Sequence, residues 1–270
     1  MKRPGTRVRA LRAEWTKLVT VPGQLWTLAA VAALMTGVGA LAGAAQDPPR
    51  CPPHAPCPGP DTTALTLSGV YLAQLAAVMV AVALVSAEYP RMMRVTLAAH
   101  PGRTGVLAAK AAVTLAAVLA AGAAGVAGAL LAGRAALTAR GFTAASGHPA
   151  AALTDPALQR AALGTLLYLL LVTLLGTGLA AVVRHQAAAA GTVTGLLYGP
   201  YALTLAVPMS GRVLHDVQKV SPMTAGLAVQ ATPPGTGTAP LGPWTGLAVL
   251  AAYAAVALAA GWVLLRRRDA

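Results

Sequence analysis

The chain of 270 residues has 57% hydrophobic and 10% charged side chains, with a formal net charge of +13. A soluble domain of this size would carry roughly a quarter charged residues, so the composition predicts an all-α integral membrane protein. The positive charge does not indicate nucleic-acid binding, because no basic stretch carries interleaved aromatic residues.

The N-terminal residues 1–23 predict an amphipathic elbow helix that lies along the inner surface of the membrane. Its apolar positions share one helical stripe, formed by Val8, Leu11, Trp15, Leu18 and Val19. Such a helix would hold Trp15 and its basic side chains at the level of the lipid headgroups. A secretory signal peptide is the alternative, but the apolar run that follows is about twice as long as a signal core.

Six apolar stretches are long enough to cross a membrane, since a spanning helix needs about 20 residues. They are residues 24–45, 65–87, 106–132, 161–183, 187–208 and 244–265, which make up a single transmembrane domain over residues 1–270. Lys110 stands one turn inside the third stretch, where its side chain is expected to reach out to the interface. Most of the 20 Lys and Arg residues flank the ends on the side of the N-terminus, so the positive-inside rule places both termini in the cytoplasm.

The first outer loop contains Cys51 and Cys57, the 2 cysteines of the chain. A disulfide between them is expected on the oxidising side of the membrane. A metal site is the alternative, but Cys51, Cys57 and His54 supply too few ligands for one.

Small residues recur at a four-residue spacing in two spans. The first span contains Gly39 and Gly43, and the fifth contains Gly191, Gly195 and Gly199. This spacing lets helix backbones approach closely in lipid. Packing within the chain and a seam between two copies both explain it.

Local signals predict three of the connections between spans. Asp155 and Pro156 form a helix cap before the fourth span, and Arg184–Gln186 is a tight inner turn. The outer connection 209–243 divides into a mildly apolar half that suits short helices and a Pro/Gly-rich linker.

The inner loop between the second and third spans predicts a short helix with one largely apolar face. Two methionines flanked by arginines suit docking into a groove on another protein. The alternative is an interfacial helix that only lies on anionic lipid. The candidate contact residues are Glu88, Tyr89, Arg91, Met92, Met93, Arg94 and Leu97.

Some kinds of chemistry have no signal in the sequence. No G-x-x-x-x-G-K-[ST] loop is present, the spans carry no charge near mid-membrane, and the five histidines all lie in loops. The chain is therefore expected to be neither an enzyme nor a secondary carrier, and to bind no cofactor or metal. A transport path without an energy source requires a separate motor, and the inner loop is its natural contact.

Several short motifs occur in a recognisable order. They are L-R-A-E-W-T-K-L at 11–18, L-W-T-L at 25–28, S-A-E-Y at 86–89, R-V-T-L-A-A-H-P at 94–101 and V-L-A-A-K at 106–110, with weaker matches at 221–226 and 264–270. With these motifs the chain resembles an actinobacterial ABC-2 type transporter permease, the membrane subunit of an ATP-driven exporter. It departs from that family at 90–93, where the family usually has a glycine.

The resemblance implies six spans, an elbow helix and a coupling helix after the second span. It also implies two permease copies in a bacterial plasma membrane, with separately encoded ATPase subunits that bind ATP and Mg. The second and fifth spans would line the cavity for an amphipathic substrate, which makes cavity candidates of Tyr71, Gln74, Met79, Thr192, Thr194 and Tyr198. A structural or regulatory membrane subunit without a transport path is the alternative function.

Overall fold

The computed structural model describes residues 4–49, 59–86, 103–143, 151–232 and 241–267, and their regular structure is entirely helical. The helices are α1 (Pro4–Thr20), α2 (Pro22–Ala44), α3 (Thr62–Thr66), α4 (Val70–Ser86), α5 (Arg103–Ala139), α6 (Pro156–Val183), α7 (Gln186–Ala206), α8 (Gly211–Val220), α9 (Pro222–Leu227) and α10 (Pro243–Arg267). A 3₁₀ turn at Ala228–Gln230 follows α9.

In the described part of the chain, 4 helices are long and apolar enough to cross a membrane. These are α2, α5 from Leu107 onward, α6 and α10. The helix α4 is equally apolar in character but shorter, and α7 is not among the four. The protein is therefore an all-helical, multi-pass membrane protein, as the composition predicted.

Helices α2 and α5 pack side by side and run in the same direction. Gly125 of α5 lies against Met35 of α2, and further toward the carboxyl ends Gly133 lies against Gly39. Because glycine has no side chain, the two backbones approach closely along this seam. The paired glycines of the first span are thus explained by packing within the chain.

A second group of helices runs in the direction opposite to α2 and α5. Gly178 of α6 lies against Ala257 of α10, and Ala181 lies against Gly261 one turn further along both helices. The helix α4 runs parallel to α6. Gln74 contacts Tyr168, and further along both helices Ala81 contacts Gly176.

Contacts between the two groups fix their relative direction. Lys110, near the start of α5, bonds to Leu84 near the end of α4, so these helices are antiparallel. The helix α7 follows α6 after the two-residue turn Arg184–His185 and runs back alongside α4. The helices α2, α5 and α7 therefore run one way, and α4, α6 and α10 run the other.

The predicted span 65–87 was wrong in its first residues, because the structure has two helices there. The carboxylate of Asp61 accepts hydrogen bonds from the backbone N–H groups of Thr63 and Ala64, at 3.1 and 3.0 Å, and starts the one-turn helix α3. A turn then brings Gly69 against the backbone of Met35, where a Cβ would lie 2.6 Å from the Met35 Cα. Only glycine fits at that distance, and α4 begins at the next residue.

The predicted cap at Asp155 and the predicted tight turn at 184–186 are confirmed. Asp155 accepts a 2.9 Å hydrogen bond from the Ala157 N–H, and Pro156 is the first residue of α6. Arg184 ends that helix in the left-handed conformation with φ 60°. The helix α7 then starts at Gln186.

The connection after α7 contains the short helices that the sequence predicted. No residue of α8 is buried, whereas α9 and the 3₁₀ turn are almost fully buried between α6 and α10. Gly164 of α6 lies against Val229, and Gly246 of α10 lies against Ala225. The linker 233–240 lies outside the described residues.

Exposed tryptophans stand near both ends of the helical bundle. Trp244 and Trp262 lie near the two ends of α10, and the Arg266 guanidinium lies 4.0 Å from the centre of the Trp262 ring. Along a helix this separation is about 27 Å, close to the roughly 30 Å thickness of a bilayer's hydrocarbon core. Interfacial tryptophans at that spacing are typical of a spanning helix.

Candidate functional site: a buried polar cluster beside an open helix face

A cluster of polar side chains lies inside the bundle around Gln74, which is fully buried on α4. The Gln74 Nε2 donates to the Tyr198 hydroxyl at 2.8 Å and lies 3.2 Å from the Met223 sulfur. The buried Tyr168 hydroxyl donates to Gln74 Oε1, and the Tyr198 hydroxyl donates to the Tyr71 carbonyl oxygen. The cluster thereby joins α4, α6, α7 and α9.

This cluster follows from the cost of an amide in an apolar interior. A buried amide without hydrogen-bond partners destabilises a protein by roughly a few kcal/mol. Its N–H donors and its oxygen acceptor must therefore find partners inside the protein. Gln74 is satisfied by tyrosines of two other helices. The arrangement fixes the relative position of these helices.

The predicted cavity residues divide into two sets. Tyr71, Gln74 and Tyr198 meet in the cluster, whereas Met79 is 43% exposed on the outside of α4. Thr192 is exposed on α7 and donates a 2.8 Å bond to the Ala188 carbonyl of its own helix. Thr194 is half-buried. The six residues therefore do not line one common space within the described chain.

Two members of the cluster had not been predicted from the sequence. Tyr168 on α6 is fully buried, and Met223 lies in α9, within the S-P-M-T-A-G motif. Tyr168 is the one aromatic residue of the predicted fourth span, which is the signal that could have identified it. No local signal pairs Met223 with a residue of the second span.

One side of α7 is open to the outside of the chain, next to the cluster. Small exposed residues share one helical face there, with the exposed Leu203 at its edge; they are Ala188, Gly191, Thr192, Gly195, Gly199 and Ala202. A Cβ added at Gly191, Gly195 or Gly199 would meet nothing within 4 Å. Packing within the described chain therefore does not explain the glycine repeat of the fifth span.

Two partly exposed aromatic residues meet where α4 packs against α7. The rings of Tyr71 on α4 and Tyr201 on α7 are 6.4 Å apart between centroids, and both side chains are more than one-third exposed. Tyrosine combines a large apolar body with a hydroxyl group. The surface next to the cluster is therefore apolar with a few polar groups.

A second set of polar contacts closes the end of the bundle at which α6 and α10 begin. Asp61 accepts bonds from the backbone N–H and the hydroxyl of Thr232, at 2.8 and 2.7 Å. Arg160 donates to the Ala231 carbonyl at 2.7 Å, and the buried Gln230 donates to the Thr165 hydroxyl at 2.9 Å. These bonds hold the segment after α9 against α3 and α6.

The expectation that Lys110 reaches out to the interface was wrong. Its side chain is buried and its ammonium group lies 2.8 Å from the carboxylate of Glu14 on α1. The physical reason is that the carboxylate offers the cation a partner inside the protein, which makes extension toward water unnecessary. The buried side of α1 is accordingly formed by Glu14 and Leu18, while Trp15 is 49% exposed.

The predicted coupling residues and the predicted disulfide lie outside the described residues. They are Glu88, Tyr89, Arg91, Met92, Met93, Arg94 and Leu97, and Cys51 and Cys57. Among the residues that are described, no group of three or more His, Cys, Asp or Glu side chains could hold a metal ion.

Neither a scan against protein-family models nor a search of curated proteins found a match to the chain.

Proposed function

We propose that the chain is the membrane-spanning permease subunit of an ATP-driven ABC exporter and forms the path of an amphipathic substrate. The observation that carries the proposal is the position of α7. One side of this helix closes the polar cluster at Gln74, and the other carries three glycines at which an added Cβ would meet nothing within 4 Å. The motifs that resemble ABC-2 permeases supply the class of transporter.

The proposal includes six membrane crossings, by α2, α4, α5, α6, α7 and α10. At 1.5 Å per residue, α4 and α7 are about 26 and 32 Å long, close to the thickness of a hydrocarbon core. Successive members of this series run in opposite directions, as their contacts require. Alternation of this kind is what six consecutive crossings would produce.

The same directions support cytoplasmic termini in a bacterial plasma membrane. Four basic residues lie at the same end of the bundle as α1, namely Lys17, Lys110, Arg184 and Arg266. Positive residues near short loops favour the cytoplasmic side. The exposed apolar residues of α1, including Trp15, would then contact lipid at the inner surface.

We assign the open face of α7 to a second copy of the chain. Glycines spaced by four residues allow two helices to approach closely in lipid, and a two-fold dimer would pair this face with itself. On the side of α7 that packs against α4, Tyr71 and Tyr201 would face the substrate path. Their rings and hydroxyl groups suit an amphipathic substrate.

The energy would come from a separate ATPase subunit that binds ATP and Mg, with this chain non-catalytic. Its contact would be the inner segment 87–102, through Glu88, Tyr89, Arg91, Met92, Met93, Arg94 and Leu97. Apolar methionines fill irregular grooves well, and the arginines provide charge at the rim.

The test is to purify the full-length tagged chain from its own host's membranes and to identify what accompanies it. We expect an ATPase with a phosphate-binding loop and no spans of its own, in equal number with the permease. In vesicles of phosphatidylglycerol and phosphatidylethanolamine, the complex should hydrolyse ATP faster than the isolated ATPase. A stable particle without any ATPase would contradict the proposal and favour a structural or regulatory subunit.

A further inference from the structure

A buried ion pair links α1 to the start of α5. Lys110 is 1% exposed and Glu14 is 3% exposed. The Lys110 ammonium lies 2.8 Å from Glu14 Oε2, while Lys17, which is more exposed, lies 2.9 Å from Glu14 Oε1. One carboxylate thus holds two cations from different helices.

Lys110 also bonds to a third helix. Its ammonium group donates to the carbonyl oxygen of Leu84 at 3.1 Å. Leu84 lies in the last turn of α4, whose final carbonyls have no partner within their own helix. A cation at this position satisfies a carbonyl and interacts favourably with the helix dipole.

The surroundings of the pair are apolar. Leu18, one turn after Glu14, and Val113, one turn after Lys110, belong to a buried apolar cluster with Leu84 and Ala117. Charges in such a place are strongly coupled because little water screens them. Removal of one partner breaks the ion pair between α1 and α5 and leaves a buried charge less well compensated, whereas replacement of both by apolar groups is often neutral for stability.

The three helices that meet at Lys110 border the segment proposed to contact the ATPase. The helix α4 ends at Ser86 and α5 begins at Arg103, so Lys110 connects the two described ends of that segment. Glu14 adds α1 to the same point. A movement of either end is therefore transmitted to the N-terminal helix.

We infer that Lys110 and Glu14 are a positioning pair that makes α1, the end of α4 and the start of α5 move as one unit during coupling. The pair touches neither substrate nor ATP. The identity of the moving partner as an ATPase rests on the proposed function, whereas the mechanical link between the helices does not.

The first measurement tests the link alone. Spin labels are placed at Arg12→Cys and Gly105→Cys, two open positions, in a Cys51→Ser/Cys57→Ser background. We expect a narrow distance distribution in nanodiscs for the parent. In Glu14→Gln and Lys110→Met the population with displaced α1 should rise at least about tenfold, because each variant removes the buried ion pair between α1 and α5.

The second measurement tests coupling in the complex with its copurified ATPase. Both variants should lower the kcat of ATP hydrolysis about tenfold and leave the KM for ATP unchanged, because ATP binds on the other subunit. Lys110→Arg, which keeps a cation and several donors, should restore much of the rate. Lys17→Gln is the matched control, since it removes the more exposed cation from the same carboxylate and should change neither readout.

The double variant Glu14→Leu/Lys110→Met separates positioning from stability. It removes both charges and the bond to Leu84, so we expect near-parental thermal stability together with a low kcat. Near-parental kcat in this variant would show that the pair only stabilises the fold and would overturn the inference.

Two further outcomes are decisive. An unchanged distance distribution in Glu14→Gln, which keeps the side-chain shape, would show that the pair does not hold α1. A displaced α1 with unchanged kcat would overturn the coupling role and leave the proposed function intact. If the parental chain copurifies with no ATPase, the proposed function fails and the coupling role fails with it, while the distance measurement still reports on the link.

Discussion

Gly178 on α6 and Gly191 on α7 have the same local sequence context, an apolar helix, but different surroundings. A Cβ at Gly178 would lie 2.5 Å from the Ala257 carbonyl carbon and 2.6 Å from the Leu258 nitrogen. Both are backbone atoms, which cannot turn away as a side chain can. A Cβ at Gly191 would meet nothing within 4 Å.

This difference leads to a paired prediction for alanine substitutions. Gly178→Ala should destabilise the protein by about 1–3 kcal/mol, because α6 and α10 must separate to admit the methyl group. Gly191→Ala should leave the stability of the monomer unchanged or slightly raised, since alanine favours helix. Thermal unfolding in detergent, under conditions that keep the chain monomeric, measures both; equal losses would contradict the packing described for α6.

The cluster at Gln74 supports a second prediction at the level of single residues. Tyr168→Phe removes the hydroxyl that donates to the buried amide oxygen and should cost about 1–3 kcal/mol. In a Gln74→Leu background the same change should cost much less, because the acceptor is gone. A double-mutant cycle on unfolding free energies measures the difference, and additive losses would show that the two side chains are not coupled.

The tertiary contacts of individual side chains also explain why part of the Gln74 cluster could not be predicted from the sequence. The resemblance to ABC-2 permeases pointed to the second and fifth spans. Polar residues in these apolar spans are visible in the sequence, and they include Tyr71, Gln74 and Tyr198. Tyr168 and Met223 belong to the same cluster only through tertiary packing. The Glu14–Lys110 pair joins residues 96 positions apart, and no spacing rule relates them.

The sequence predicted the positions of the long apolar helices better than it predicted the breaks between helices. Apolar runs and the cap at Asp155 located α2, α6 and α10 to within a few residues, because in lipid a helix must satisfy its own backbone. The break between α3 and α4 was missed. It depends on Asp61, which also binds Thr232 at a separation of 171 positions, and on the contact of Gly69 with α2.

The inner segment 87–102 carries the third prediction. If Met92 and Met93 fill a groove on the ATPase, replacement of both by Asp removes roughly 1.5–3 kcal/mol of apolar contact for each residue. The dissociation constant of the complex should therefore rise by about two or more orders of magnitude. Copurified ATPase and ATP hydrolysis measure the effect in a variant that still inserts.

Glu88→Gln is the control for the methionine pair. An exposed ion pair with Arg94 would contribute at most about 1 kcal/mol, so this variant should retain most of the ATPase. A double-Asp variant that keeps its ATPase and its activity would show that the segment is not the coupling element.

For the whole molecule, the direction of each long helix gives a fourth prediction. Reporters inserted at Gly59, Gly147 and Gly237 should lie outside the cell, and those at Gly102 and after Ala270 should lie inside. The basis is the alternation of the six helices together with the excess of Lys and Arg at one end of the bundle. A single inverted reporter with normal expression would contradict the six crossings.

The close packing of α6 against α10 has a consequence for biosynthesis. Gly178 and Gly261 form a seam between helices whose synthesis is separated by the whole of α7, α8 and α9. While the chain emerges from the ribosome, the α2–α5 pair is complete early, but α6 and the buried α9 keep an unfilled surface until the last span has been made. A nascent or truncated chain that lacks residues 241–270 would present this surface to other membrane proteins and to quality-control proteases. We therefore expect such a truncation to be degraded in the membrane within minutes of synthesis in a pulse-chase experiment, whereas the full chain persists.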